Sequence, residues 1–199
     1  MNILHLKTSP RGGASFSIQL GDAIVSQIQD KYTDHTLKVH DLAAHPFPHL
    51  EEAHLNSFFT PLESRSPDML EAIKHSDGAI AELNAADVIV IGVPMYNFGI
   101  PSTLKSWIDH IARAGVTFKY DENGPQGLVK NKKVYLAVST GGIYSDGFMK
   151  AYDFTENYLR AVLGFLGMTD VTTFRVEGVN MPDVKETALT TAVEKISID

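Results

Sequence analysis

Five short apolar runs recur along the chain, separated by longer stretches in which apolar residues fall three and four apart. The runs are NILHLKT (Asn2–Thr8), TLKVHDL (Thr36–Leu42), DVIVIGV (Asp87–Val93), KKVYLAVS (Lys132–Ser139) and VTTFRVEG (Val171–Gly178). Their length and β-branched content predict strands. The third is nearly continuous Val and Ile, the pattern of a strand covered on both faces. Between the runs, Phe16, Leu20, Ile24 and Ile28 form one helical stripe. Ile100, Leu104, Trp107, Ile108 and Ile111 form a second, and Phe154, Tyr158, Val162 and Phe165 a third. Ser66-Pro67 joins a capping residue to a proline at the first helical position, which predicts a helix from there through Leu83. A last helix is expected over about 183 to 196.

Strands alternating with helices in this way predict one open parallel sheet with helices on both faces. Five strands suit the order 2-1-3-4-5, a doubly wound, flavodoxin-like α/β fold. The 199 residues suit a single domain spanning 1–199. Two stretches exceed the minimal repeat. Residues 43–66 contain Pro46, Pro48 and Pro61, and residues 115–131 read GVTFKYDENGPQGLVKN. Insertions of this length are usually functional or interfacial.

In such a sheet, ligands bind outside the carboxyl ends of the strands, beside the switch in strand order. The loops after the first, third and fourth strands are therefore the places to look for chemistry. The first reads TSPRGGASFS (Thr8–Ser17). Gly12 and Gly13 allow tight turning, while Ser9, Ser15 and Ser17 put hydroxyls where a helix begins, a natural anion site. An ordinary serine-capped helix would look similar. The loop matches neither a Walker loop nor Gly-x-Gly-x-x-Gly. A phosphate held by hydroxyls and N–H groups without Lys suits a retained mononucleotide better than a phosphate in transfer. The second loop clusters Met95, Tyr96, Asn97 and Phe98 behind Pro94, which is expected to stop the strand. Flat polarisable contacts beside an amide suit an isoalloxazine ring, which has apolar faces and polar edges. The third loop, STGGIYSDG (Ser139–Gly147), offers Gly141 and Gly142, whose backbone can lie against a ligand, and Tyr144 as a further hydrogen-bonding group. Donors there would face the pyrimidine edge and favour the reduced ring. Each loop alone is weak evidence; the three together point to FMN.

Composition narrows the alternatives. Lys plus Arg number 17 against 24 Asp plus Glu, a net charge of −7, which disfavours nucleic acid as a partner. There is no Cys, so disulfides and thiol catalysis are excluded. No apolar run approaches the roughly 20 residues of a membrane span. The opening MNILHLKTSP has too short an apolar part, and no basic flank, for a secretory leader, so a cytoplasmic location is expected.

The segments PMYNF, ARAGVTFKY, ENGPQGL and STGG, with Ser-x-Ser after the first strand, carry a resemblance over nearly the whole chain. The sequence resembles the bacterial FMN-dependent NADH:quinone oxidoreductases, also called FMN-dependent NADH-azoreductases. That resemblance implies a homodimer with one bound FMN per subunit and NADH as electron donor. By position it assigns FMN binding to Ser9, to Ser15, Phe16 and Ser17, to Met95, Tyr96, Asn97 and Phe98, and to Ser139, Thr140, Gly141 and Gly142, with Tyr144 as an addition. Phe16 departs from the small or polar residue expected inside Ser-x-Ser, though its N–H can still serve a phosphate. Phe118 and Tyr120 alternate beside the polar turn DENGPQG. They form either a small hairpin packed on its own subunit or an aromatic arm walling the flavin pocket, of the same subunit or its partner; the resemblance and the aromatic enrichment of interfaces favour the arm.

The implied reaction passes hydride from NADH through flavin N5 to quinones, with azo compounds cleaved by the same ping-pong route. The flavin carries the chemistry, so no catalytic side chain is expected. The alternative from another class is a flavodoxin-type FMN electron carrier without small-molecule turnover. The long aromatic insertion and the lack of dense acidic runs near the three loops weigh against it. His35, His40, His45, His49 and His54 cluster in sequence, but Pro46 and Pro48 oppose a helix that would align two of them, so no metal site is expected. Asp109 and Arg113 are expected to form a surface pair, and Lys130, Lys132 and Lys133 a solvated strand edge.

Overall fold

A computed structural model describes residues 1–198. In chain order its first half runs β1 (Asn2–Lys7), α1 (Phe16–Lys31), β2 (Thr36–Asp41), α2 (Glu52–Phe59), α3 (Pro67–Ala72), α4 (Lys74–Ala85) and β3 (Val88–Pro94). The second half continues with α5 (Ser102–Ile111), β4 (Phe118–Asp121), β5 (Gly124–Gly127), β6 (Lys133–Ser139), α6 (Phe154–Leu166), β7 (Asp170–Val176) and α7 (Ala188–Glu194). Five strands make one sheet in the order β2-β1-β3-β6-β7, every neighbouring pair parallel. With β6 and β7 as its fourth and fifth members, this is the expected 2-1-3-4-5 order. The antiparallel pair β4-β5 is a separate hairpin inside the second insertion.

The apolar runs form strands because each supplies side chains to two cores in alternation. On β3, Val88 and Val90 join Leu20, Ile24 and Ile28 of α1 and Ala192 of α7. Ile89, Ile91 and Val93 join Leu83 of α4, Trp107 and Ile108 of α5, and Leu159 and Leu163 of α6. All of β3 is buried. Burying a Val, Leu or Ile side chain contributes about 2 kcal/mol, so the layers are held by these two cores more than by helix propensity.

As expected, β3 ends at Pro94, in register with Ser139, while several other local expectations are corrected. The N–H of Met95 points to β6, bonding Ser139 O at 2.9 Å, so by alternation the nitrogen of Pro94 faces the other side, where β1 has already ended. A proline there forfeits no ladder bond. The helix from Pro67 breaks at Ile73, which lies fully buried with φ −89 and ψ 0. The last helix is shorter than expected, because 183–187 contains one apolar residue and folds as turns through Met181 and Val184 carbonyls. On α6 the stripe that faces the core is Thr155, Leu159, Leu163 and Leu166, while Phe154 is exposed and Tyr158, Val162 and Phe165 are half-buried. Asp109 pairs with Lys105 at 2.7 Å, not with Arg113, which is buried against Asp77 and the Phe58 ring. Lys132 donates to the carbonyls of Asn84 and Ala86, and Lys133 pairs with Asp170, on a strand that is not an edge. The first insertion contains α2, whose His54 meets the His110 ring edge-on at 5.1 Å.

His5 sits inside this frame on β1, 1% exposed, with its Nδ1 3.6 Å from Asp22. Burial, opposed by the Asp22 charge and aided by Lys7, lowers its pKa from 6.5 to about 4. The folded chain therefore keeps His5 neutral where the unfolded chain takes up a proton. Stability should fall as pH drops from about 6.5 to about 4 and level off below, by up to about 3 kcal/mol from this group. Urea unfolding across that window should show a shallower pH slope for His5→Leu than for the wild type; equal slopes would contradict the assignment.

Candidate functional site

Because β1, β3 and β6 are adjacent and parallel, the loops that follow them emerge side by side. The loop after β1 is fastened first by Thr8, whose buried hydroxyl donates to Gly92 O at 2.6 Å. A short 3-10 turn, Gly12–Ala14, leads to Ser15 at the start of α1. Ser15 has the extended backbone of a cap, yet its side chain does not cap the helix. It turns instead to the Ser17 hydroxyl, 3.0 Å away, and both are buried. Among the described residues, the N–H groups of the first turn have no intrahelical or side-chain acceptor until Gln19 bonds Ser15 O. Gly92 contributes from beneath: a Cβ there would lie 2.9 Å from Ser17 O, so a glycine on β3 is what allows the first turn of α1 to rest on the sheet. Ser9 is 1% exposed, accepts from Arg11 N, and stands 3.4 Å from the Tyr96 hydroxyl. Phe16 packs its ring against the α1 core, leaving only its backbone for a ligand.

The loop after β3 is a two-residue turn. Tyr96 and Gly99 exchange backbone hydrogen bonds at 3.0 and 3.1 Å. Between them Asn97 and Phe98 have φ of 50° and 70°, the signs of a type I′ turn. Asn tolerates this conformation; Phe adopts it at a cost of about 1–2 kcal/mol. The Phe98 carbonyl accepts from Phe154 N at 3.1 Å and its ring packs at 5.6 Å from that of Tyr152, which holds the turn in place. The consequence is that Tyr96, Asn97 and Phe98 all present exposed side chains above the sheet, with Met95 half-buried beneath them. A cleft of about 420 Å³ opens beside the turn, lined by Thr8, Pro10, Tyr96, Asn97 and Ile100. A larger groove of about 630 Å³ runs along edge strand β2 past Lys38, His40, His45 and Glu82, and none of the three loops borders it. Its Glu82 is already engaged by Lys38 and His40.

The loop after β6 has its carbonyls committed. Those of Thr140, Gly141 and Gly142 accept from Val179, Asn180 and Gly178, respectively. No acceptor among the described residues takes the N–H groups of Gly141 and Gly142. Gly141 was expected to make room for a ligand; its missing Cβ makes room for Asn180, whose Nδ2 would be 2.7 Å from it. Ser139 and Thr140 are buried at the base of the loop. The Tyr144 N–H is taken by Glu177 at 2.8 Å, and its ring stands 6.3 Å from Phe98.

Sequence reasoning missed the group behind this loop. Glu177 also accepts from Ser145 N, and Arg175 donates to Asp153 and Glu156, each at 2.6 Å. Asp153 in turn caps α6 by accepting from Thr155 and Glu156 N–H. Burial opposes the Arg175 charge, but the Asp153 hydrogen bond and the charges of Asp153, Glu177 and Glu156 outweigh it and hold its pKa above the ordinary guanidinium value. Burial likewise pushes the Glu156 carboxyl up, but hydrogen bonds from Arg160 and Thr173 and the nearby guanidinium charges bring it below the usual carboxylate range. The available signal was the spacing of Arg175 and Glu177, two apart near a strand end and so on one face.

The expected binding residues of all three loops are therefore brought together. Buried hydroxyls and open helix N–H groups suit a phosphate, the aromatic turn suits a flat ring, and the Gly141 and Gly142 donors suit its polar edge: the set fits FMN. Phe118 and Tyr120 lie elsewhere in their own subunit. Phe118 packs on Phe165 at 4.6 Å, and Val129 N bonds Leu166 O, at the carboxyl end of α6. The amino end of that helix touches Phe98, so about 20 Å of helix separates the arm from the site. Among the described residues no group of three or more His, Asp or Glu is arranged to hold a metal, and no helix is long and apolar enough to cross a membrane.

Comparison with known proteins matches residues 1–198 to a family described as having a flavodoxin-like fold. An FMN-dependent NADH:quinone oxidoreductase of Mesorhizobium japonicum is 46% identical over 197 residues, covering 98% of this chain and 94% of the relative. One from Herminiimonas arsenicoxydans is 49% identical over 179 residues, covering 90% and 88%. The crystal structure of an azoreductase from Bacillus anthracis superposes with a TM-score of 0.90 at 29% identity, covering 98% of this chain and 96% of that one.

The turn geometry is testable in the protein without ligand. Asn97→Val places a β-branched side chain at positive φ and should lower unfolding free energy by about 1–2 kcal/mol, whereas Asn97→Gly should leave it within about 0.5 kcal/mol. Denaturant melts of both variants decide it, and equal destabilisation would rule out the left-handed turn.

Proposed function

This chain belongs to the flavodoxin-like fold family, and from that premise we propose that it is an FMN-dependent NADH:quinone oxidoreductase that also cleaves aromatic azo compounds reductively. The observation that carries the reading is the burial of Ser9, Ser15 and Ser17 around the uncapped first turn of α1, a phosphate cradle without lysine. FMN, when bound, supplies the two-electron chemistry for which this cysteine-free chain has no side chain. The serine hydroxyls and the N–H groups at the start of α1 hold its phosphate, assisted by the helix dipole. Met95, Tyr96, Asn97 and Phe98 would flank its ring, with Ser139 and Thr140 at the base of the neighbouring loop. The Gly141 and Gly142 N–H groups stand where donors would stabilise negative charge on the ring edge. The exposed rings of Tyr96 and Phe98 border a stacking surface on which the nicotinamide and then a quinone or azo compound are placed in turn. No acid or base from the protein is required, since water can protonate the reduced quinone. The relatives' names favour turnover over a carrier role, and NADH as donor fits a cytoplasmic location.

The reading includes a homodimer. Phe154 is 58% exposed and Tyr120 69%, and they bracket the half-buried Tyr158, Val162 and Phe165, an apolar stripe along α6. A second copy would cover that stripe. It would also bring Phe118 and Tyr120 to the site of its partner, which the hairpin's own subunit does not do.

Anaerobic titration of the FMN-loaded protein should show bleaching by NADH and recovery on adding a quinone; a protein that stays oxidised would be a carrier. Steady-state double-reciprocal plots should give parallel lines, as one surface serves both substrates, and intersecting lines would refute the shared site. Removing both hydroxyls in Ser15→Ala/Ser17→Ala should weaken FMN binding at least about tenfold by fluorescence titration. Tyr120→Ala should change acceptor kcat/KM while leaving FMN affinity within about twofold; if acceptor kinetics hold steady, the aromatic arm has no role.

A further inference from the structure

The near end of the loop after β6 is held by Thr140 Oγ1 donating to Gly142 O at 2.7 Å and by backbone bonds to Val176 and to residues 178–180. Its far end hangs on a carboxylate, Glu177, which receives the N–H groups of Tyr144 and Ser145 at 2.8 and 2.9 Å as well as the Ser145 hydroxyl. Glu177 is in turn paired by charge with Arg175, whose Nε lies 3.3 Å from Glu177 Oε1 without a hydrogen bond between them. The other two guanidinium nitrogens are spent on Asp153 and Glu156. Asp153 caps α6, and the first residue of α6, Phe154, donates to the carbonyl of Phe98 in its strained turn. One guanidinium therefore connects two of the three loops: the β6 loop through its charge pair with Glu177, and the β3 turn through its hydrogen bond to Asp153 at the start of α6.

We propose that Arg175 and Glu177 are positioning residues of this site, aiming the Gly141 and Gly142 N–H donors at the flavin edge and supporting the Tyr96–Gly99 turn, although neither touches the cofactor. The inference rests on the FMN reading. A guanidinium suits this task because its fork holds the Asp153 and Glu156 carboxylates by directed hydrogen bonds while its charge faces Glu177, which an ammonium cannot do in one geometry. The carboxylates are nearly buried: the Asp153, Glu177 and Glu156 side chains are 8%, 15% and 21% exposed. Without Arg175 they repel one another, and the cheapest relief is for Glu177 to swing to water, releasing Tyr144 and Ser145. The donors at Gly141 and Gly142 then lose their aim. Preorganised N–H groups matter most where charge accumulates, so the loss falls more heavily on reduced than on oxidised FMN.

The test compares wild type, Arg175→Met, Arg175→Lys and Glu177→Gln by three measurements. These are FMN dissociation constants by fluorescence, the midpoint potential of bound FMN by anaerobic dye equilibration, and amide exchange over 139–147 in FMN-free protein. Arg175→Met should weaken oxidised FMN about tenfold, lower the midpoint potential, and speed exchange at Tyr144 and Ser145. Arg175→Lys should recover only part of each effect. Glu177→Gln keeps an acceptor oxygen but loses its hold on Arg175, and should fall between wild type and Arg175→Met in loop exchange. If wild type binds FMN while Arg175→Lys and Glu177→Gln keep its affinity, potential and loop exchange, the positioning role is overturned even should Arg175→Met fail to fold. If the variants lose only thermal stability, the role is structural and the proposal falls. If wild type itself binds no FMN, the functional reading falls and the proposal with it.

Discussion

The site depends on the central ladder, in which β3 is hydrogen-bonded to β1 on one side and β6 on the other. A ligand spanning three loops requires three strand ends held at a fixed height. Two bonds set that height just beyond the regular ladder: Thr8 hydroxyl to Gly92 O, and Met95 N to Ser139 O. Both reach across from one loop to the neighbouring strand, so the loops begin as extensions of the sheet instead of as free connections. The Val and Ile side chains of β3, buried on both faces, make the ladder costly to shift. Gly92 then serves both sides of the problem. It leaves space for the first turn of α1, and its carbonyl anchors Thr8.

On this rigid base the protein places two unfavourable local arrangements where a ligand would use them. Ser15 declines to cap its own helix, leaving first-turn N–H groups unfilled. Phe98 adopts a left-handed conformation one residue before a glycine that could have taken it more cheaply. Local strain of this sort persists only when the surroundings over-determine it. The Phe154 N–H and the Tyr152 ring supply that support, and α6 holds them there. The same α6 is half finished on its outer side, where its aromatic stripe and the β4-β5 hairpin form one apolar surface with Phe118 at its centre.

The charged residues divide by role. The chain carries a net charge of −7, while the buried groups around the start of α1 are neutral serine hydroxyls. Behind the loop after β6, by contrast, Arg175 and three carboxylates are drawn together and largely desolvated. Such a cluster adds little net stability, because desolvation consumes most of the Coulomb attraction. Its hydrogen bonds are directional: Arg175 holds Asp153 and Glu156, and Glu177 accepts from the Tyr144 and Ser145 N–H groups of the β6 loop.

The sequence by itself determined the sheet, its order, both faces of β3 and which three loops meet at the carboxyl ends of β1, β3 and β6. Strand and helix periods differ, and a continuous apolar strand can only be central. The serines, the aromatic turn and the paired glycines were legible as candidates, since residue type and position at strand ends suffice for that. Tertiary structure alone decided which α6 stripe turns inward, because Phe154, Tyr158, Val162 and Phe165 and the Leu159, Leu163 and Leu166 row are both apolar at helical spacing. It decided that Gly141 makes way for Asn180, that Arg113 abandons Asp109 for Asp77, and that the hairpin sits a helix-length from its own site. Only the fold could join Arg175, Glu177 and Asp153 to the loop before them, for such pairings depend on which strand ends meet in space, and a side chain's partner across the sheet leaves no periodic trace along the chain.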